Sequence, residues 1–134
     1  MRPRVFLDSG IFIALLDRGD EWHAEARVLF SSPPKGWCTS MLVVAETHGW
    51  FLHRIGEEAA RRFHALLDDL PAFSILPTSL SHHRATRRML DRLRGSKLTY
   101  VDASSLAFID EHRVQNVWST DHHLGLTGAT VVPI

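Results

Sequence analysis

A single cysteine, Cys38, is all the chain has, so it cannot close an internal disulfide and offers no cysteine cluster for a structural zinc site. Lying between Trp37 and Thr39 in a strand-like run, Cys38 reads as a small buried hydrophobe rather than a nucleophile. No stretch approaches the roughly 18 consecutive apolar residues of a membrane span, and the start has no signal-peptide profile. We therefore expect a cytoplasmic, soluble protein with no membrane association. Net charge is also missing: Lys+Arg 15 balance Asp+Glu 15, so the overall charge gives no pointer to nucleic acid. There is no repeat and no low-complexity tract. At 134 residues the expectation is one domain spanning 1–134, large enough to bury a core without staples.

What is present is an alternation of short apolar runs with amphipathic stretches. Residues 4–8 read as a first strand, followed by a short helix over about 11–17. Asp20 looks like the N-cap of a second helix carrying Trp22, His23, Ala26, Leu29 and Phe30. After the Pro33-Pro34 loop, Trp37-Cys38-Thr39 makes a second strand, and Ser40 caps a strongly apolar helix that carries Glu46. Gly56 breaks that pattern before another amphipathic helix runs to Pro71. Residues 73–76 form a third strand, and Thr78 or Ser79 begins a basic helix ending near Gly95. Thr99 opens the next helix, Asn116 to Ser119 is a fourth strand, and Thr130 to Val132 a last one. Strands separated by helices predict an α/β fold: a mostly parallel sheet of four to five strands with helices on both faces.

Four carboxylates recur at equivalent places in this layout. Asp8 ends the first strand and Asp121 follows the fourth directly. Glu46 lies about two turns into the helix after the second strand, and Asp102 in the first turn of the helix opened by Thr99. In a parallel sheet all four fall on the carboxyl edge, where open α/β sheets bind ligands. Structural alternatives exist for each. Asp8 can cap the following helix, Thr99-Tyr100-Val101-Asp102 matches a capping box, and Thr120-Asp121 can cap a short turn. Glu46 shares a helix face with Leu42, Gly49 and Trp50, where a buried acid needs a cation or a polar pocket. Like charges gathered on one edge repel unless some take up protons or a hard divalent cation joins them. Mg²⁺ or Mn²⁺ suits such oxygens and can activate water against a phosphodiester. No His or Cys spacing suggests zinc instead.

The motifs resemble a known family. Val5-Phe6-Leu7-Asp8-Ser9-Gly10, followed by Ile13-Ala14-Leu15-Leu16-Asp17, resembles the opening of PIN-domain nucleases, especially VapC-type toxins. Thr39-Ser40 with Val43-Val44-Ala45-Glu46 is similar to the second motif of that family. Leu98-Thr99-Tyr100-Val101-Asp102-Ala103 resembles the third, and Trp118-Ser119-Thr120-Asp121-His122-His123-Leu124 the fourth. The likeness covers essentially the whole chain, in order. It implies a three-layer α/β/α fold and a Mg²⁺- or Mn²⁺-dependent endoribonuclease, the toxin of a toxin–antitoxin pair. By that resemblance Asp8 and Asp102 ligate the metal directly, while Glu46 and Asp121 complete the site and help position the attacking water. Thr120 and Ser9 match polar positions that orient these acids. Family members are often homodimers inhibited by a cognate antitoxin, so both a second copy and an antitoxin are expected partners beside RNA.

Other readings stay open at this level. A housekeeping PIN nuclease of RNA processing and a non-catalytic module with the same fold would share these motifs. Phosphatase chemistry through Asp8 is disfavoured, because Asp8-Ser9-Gly10 lacks the second aspartate two residues on that aspartyl-phosphate enzymes carry. Arg84, Arg87, Arg88 and Arg92 recur at helical spacing and form a basic face. RNA phosphates, an acidic antitoxin segment and plain solvent all suit it. His122 and His123 adjoin Asp121, either as a surface turn or in touch with substrate. Trp22, Trp37, Trp50 and Trp118 are expected to pack in the core, with Trp50 the one close enough to Glu46 to stack on a base.

Overall fold

The computed structural model describes residues 3–134. Among these residues five strands form one sheet: β1 (Val5–Leu7), β2 (Trp37–Ser40), β3 (Phe73–Leu76), β4 (Asn116–Ser119) and β5 (Thr130–Pro133). Six α-helices connect them: α1 (Ser9–Leu16), α2 (His23–Phe30), α3 (Met41–Arg54), α4 (Glu57–Asp69), α5 (Leu80–Arg92) and α6 (Tyr100–Glu111). The strand order is β3-β2-β1-β4-β5, and every pairing is parallel. From β1 the chain first steps outward through β2 to β3, then returns across the sheet to β4 and β5. Right-handed crossovers therefore send α1–α4 and α5–α6 to opposite faces, giving the three-layer α/β/α arrangement. The direction reverses between β1 and β4, and the crevice at such a reversal is where α/β sheets hold ligands.

Each layer is fixed by apolar side chains that the sequence places at the appropriate period. Phe6, Leu7, Cys38 and Val117 are fully buried in the sheet. On one face the ring of Phe12 (α1) meets Phe63 (α4) at 5.3 Å, and Phe30 (α2) packs at 5.8 Å from Trp37 and 5.3 Å from Trp118. Edge-to-face and tilted pairs of this kind add to the stabilisation from burial alone. Trp37 and Trp118 are thus core residues, with Trp22 and Trp50 packed partly against the same core. On the other face His82 stacks on Phe108 at 3.6 Å and bonds through Nε2 to the Ser104 hydroxyl at 2.8 Å. That histidine, in the first turn of α5, is a buried joint between α5 and α6.

The helix starts show which local signals held. Ser40 and Ser79 cap α3 and α5 by accepting from the Val43 and His82 amides. Thr99 and Asp102 form a complete capping box at the start of α6. Asp20 behaves differently from expectation, since α2 begins only at His23. Its carboxylate accepts from the Trp22 amide at 2.8 Å, making a local turn ahead of the helix instead of capping it. Phe63 is fully buried between α1 and α3, 5.9 Å from the Phe51 ring. Its truncation leaves a cavity between these packed helices. Phe63→Ala is expected to lower stability by about 3–5 kcal/mol in urea unfolding. A loss below about 1 kcal/mol would show that α4 is held by something other than this cluster.

Candidate functional site

Asp8 leaves the end of β1 as the N-cap residue of α1, yet its side chain makes no capping hydrogen bond. The carboxylate is turned toward β4, where the Ser119 hydroxyl donates to Oδ2 at 2.8 Å. Parallel pairing of Leu7 with Trp118 sets those two strand ends side by side and makes this contact possible. Ser119 Oγ also accepts from the Asp121 amide at 2.9 Å. Asp121 in turn caps the short 3₁₀ turn His122–Gly125, its Oδ1 accepting from the His123 amide at 2.9 Å. One serine hydroxyl therefore ties the ends of β1 and β4 into a single hydrogen-bonded unit.

The close approach of α1 to β4 depends on Gly10. A Cβ at that position would collide with the Thr120 hydroxyl and crowd the Thr120 backbone. Thr120 is thus packed against the first turn of α1, and its side chain holds none of the hydrogen bonds to the acids. Ser9 reaches Asp8 through its backbone N–H rather than its hydroxyl. The sequence singles out Thr120 and Ser9 as orienting groups, whereas the hydroxyl in contact with Asp8 is that of Ser119. Ser119 lies within the fourth motif without being singled out there, and the signal that picks it out is the parallel register of β1 with β4.

Asp8 is only 5% exposed, and burial is the main reason its carboxyl is pushed up from 3.8 to about 7. The Ser119 hydroxyl and the Ser9 amide pull in the opposite direction, while the charges of Glu46 and Asp102 push the same way as burial. Those last two effects place Glu46 and Asp102 electrostatically close to Asp8. Asp102 keeps one oxygen, Oδ2, in the capping box with the Thr99 amide at 3.3 Å. Capping and a place in the acidic site are therefore not alternatives for this residue. Glu46 is exposed, unlike the buried acid that the apolar run around it suggested. The buried stripe of α3 is Val43, Thr47 and Phe51, and Glu46 lies beside it. Its need for a partner cannot be argued from burial.

Oxygens of Asp102 and Asp121 and a ring nitrogen of His123 lie within 4.8 Å of one another, a spacing that can hold a metal ion. These donors, with the buried and electrostatically strained Asp8 beside them, fit a hard divalent cation. Oxygen donors dominate and no thiolate is present. A cavity of about 680 Å³ between α5 and α6, lined by Arg88, Arg92, Asp110 and Glu111 among others, contains none of the four acids. Arg88 and Arg92 thus border a different part of the surface, and Arg84 and Arg87 of the same helix do not line this cavity. Trp50 is covered by the Arg54 guanidinium, 5.7 Å from the ring centre.

This combination of sheet order and acid-bearing edge has counterparts. The pattern of the PIN domain matches residues 5–128, and the chain belongs to the PIN domain family. In three dimensions it is similar to VapC20 of Mycobacterium tuberculosis, described as a sarcin–ricin-loop-cleaving toxin. The two share 25% identity over 94% of this chain and 96% of that one, with a TM-score of 0.86. It also shares its fold with FitAcB from Neisseria gonorrhoeae, at 18% identity, 95% coverage of both chains and a TM-score of 0.66. No curated protein sequence matches it.

The raised Asp8 carboxyl has a consequence for stability that can be measured without metal. In the unfolded chain this group loses its proton near 4, and in the fold only near 7. Native protein therefore binds the extra proton, and the stability Asp8 contributes is present below about pH 4 and lost as pH rises through 7. Asp8→Asn, which cannot ionise, is expected to match wild type near pH 4 and exceed it at pH 8 by a few kcal/mol, on the order of the shift itself. Urea unfolding of metal-free protein across pH 4–8 reads this directly. Equal pH dependence in the two proteins would mean that Asp8 is not buried as described.

Proposed function

We propose that this chain is a Mg²⁺- or Mn²⁺-dependent endoribonuclease and the toxin half of a toxin–antitoxin pair. The observation that carries this reading is the Asp8 carboxylate. It is buried at a sheet reversal, bonded to Ser119 without making the capping bond of its own helix, and faced by further acids. A purely structural acid would take the capping bond available to it. Membership of the PIN domain family supports nuclease chemistry. Likeness to a sarcin–ricin-loop-cleaving toxin supports a toxin role and RNA as the substrate class.

In this reading Asp8 and Asp102 hold the cation directly, and Glu46 and Asp121 complete the site, directly or through water. A divalent ion so held would supply charge stabilisation at the scissile phosphoryl oxygens and would lower the pKa of a bound water. The chain's own groups provide the frame. Ser119 fixes the direction of Asp8 and, through the Asp121 amide, the start of the turn that carries Asp121. The capping box holds Asp102 at the helix start with one oxygen engaged and the other free to face the site. Glu46 is open to solvent, where it can orient an incoming water and take its proton. Thr120 and Ser9 contribute through packing and backbone rather than through their hydroxyls. We take the protein to be cytoplasmic and to act as a homodimer; among the described residues no helix is long and apolar enough to cross a membrane.

The test is hydrolysis of RNA by purified protein with Mn²⁺, compared with Asp8→Asn and Asp102→Asn. Wild type should cleave internally and stop on addition of a chelator. Each variant should lose roughly 100-fold or more of the rate. Hydrolysis that survives Asp8→Asn would sink the site assignment, and an inactive wild type would favour a non-catalytic interaction module.

A further inference from the structure

His123 belongs to none of the four acids that mark the site, yet the fold delivers its ring to them. Asp121 Oδ1 accepts the His123 amide at 2.9 Å, which folds the chain back on itself in a tight 3₁₀ turn. The same turn brings His123 Nδ1 to 3.2 Å from that oxygen, and a ring nitrogen into the group shared with Asp102 and Asp121. The His123 side chain is 43% exposed and that of Asp121 37%, so the group is open to an ion from solution. His122, one residue earlier, is exposed and stands outside the group.

We infer that His123 supplies a nitrogen ligand to the divalent cation, converting an all-oxygen centre into a mixed nitrogen–oxygen one that favours Mn²⁺ over Mg²⁺. The inference rests on the metal-dependent reading above and adds a ligand and a selectivity to it. Mg²⁺ holds to oxygen ligands and retained water and gains little from an imidazole. Mn²⁺ accepts an imidazole nitrogen more readily than Mg²⁺ does, although it is the weakest binder of the first-row series, in which affinity for such sites rises from Mn²⁺ to Cu²⁺. A competing account has Nδ1–H simply donating to Asp121. In that case the proton sits on Nδ1, the nitrogen beside Asp121, and the ring steers the carboxylate without touching the ion. The two accounts differ in whether nitrogen is bonded to the metal.

That difference is directly readable. Full-length protein without RNA is loaded with Mn²⁺ and studied by electron spin-echo modulation, with affinities for Mn²⁺ and Mg²⁺ measured by titration. Wild type should show nitrogen-14 modulation on the Mn²⁺ signal, His123→Phe should lose it, and His122→Phe should keep it. His123→Phe should weaken Mn²⁺ binding by about 10-fold while leaving Mg²⁺ binding nearly unchanged. Mn²⁺ that binds and is weakened by Asp102→Asn, but shows no nitrogen modulation in wild type, would overturn the inference and leave the metal-dependent reading standing. Modulation that survives His123→Phe would overturn it too. Absence of any Mn²⁺ binding would overturn both.

Discussion

The hydrogen bond from Ser119 to Asp8 is the contact on which the geometry of the site turns, because it settles what the first carboxylate faces. An aspartate between a strand and a helix ordinarily caps the helix by accepting from its second or third amide. Here the parallel register of β1 with β4 offers a hydroxyl at 2.8 Å instead, and the carboxylate points across the sheet. The same oxygen of Ser119 receives the Asp121 amide, so the ends of two strands and the following turn are positioned by one side chain. Gly10 makes the arrangement sterically possible by letting α1 start against Thr120.

Magnitudes show why this edge calls for a counter-charge. A charge-assisted hydrogen bond contributes about 1.5–3 kcal/mol. Even with such a bond and the Ser9 amide, burial and neighbouring acids leave the Asp8 carboxyl near 7, well above the usual carboxylate range. The net bias against its charged form is thus a few kcal/mol. Hydrogen bonding moderates the burial without offsetting it. A divalent cation among Asp8, Asp102 and Asp121 would reverse the sign, since each acid would then face opposite charge. A site strained when bare and relieved by a cation matches the stability–activity compromise common at catalytic centres.

Much of the architecture was legible in the sequence because local and global signals agree. Short apolar runs punctuated by Pro, Gly or a capping residue predict the five strands, and Ser40, Ser79 and Thr99 mark helix starts where they occur. Asp8, Asp102 and Asp121 were readable as strand-end or helix-start acids, and the sheet brings them to one edge. What could not be read is what depends on register or rotamer. Ser119 looks like any strand serine until β1 and β4 are paired. Glu46 sits in an apolar run, but the stripe through Val43, Thr47 and Phe51 takes the core and leaves Glu46 in solvent. His123 reaches the acids through a 3₁₀ turn rather than through a recognisable ligand spacing. Asp20 shows the opposite failure, a good capping residue used in a turn ahead of its helix.

The central claim is that Asp8, bonded to Ser119 and not capping α1, belongs to a metal centre at the reversal between β1 and β4. A crystal structure of the protein grown with Mn²⁺ tests this most directly, because the ion is identified by its anomalous scattering. The account predicts Mn²⁺ density bonded to oxygens of Asp8 and Asp102, with the Ser119–Asp8 hydrogen bond intact. Density lying away from both residues, or an Asp8 side chain turned back to cap α1, would contradict it.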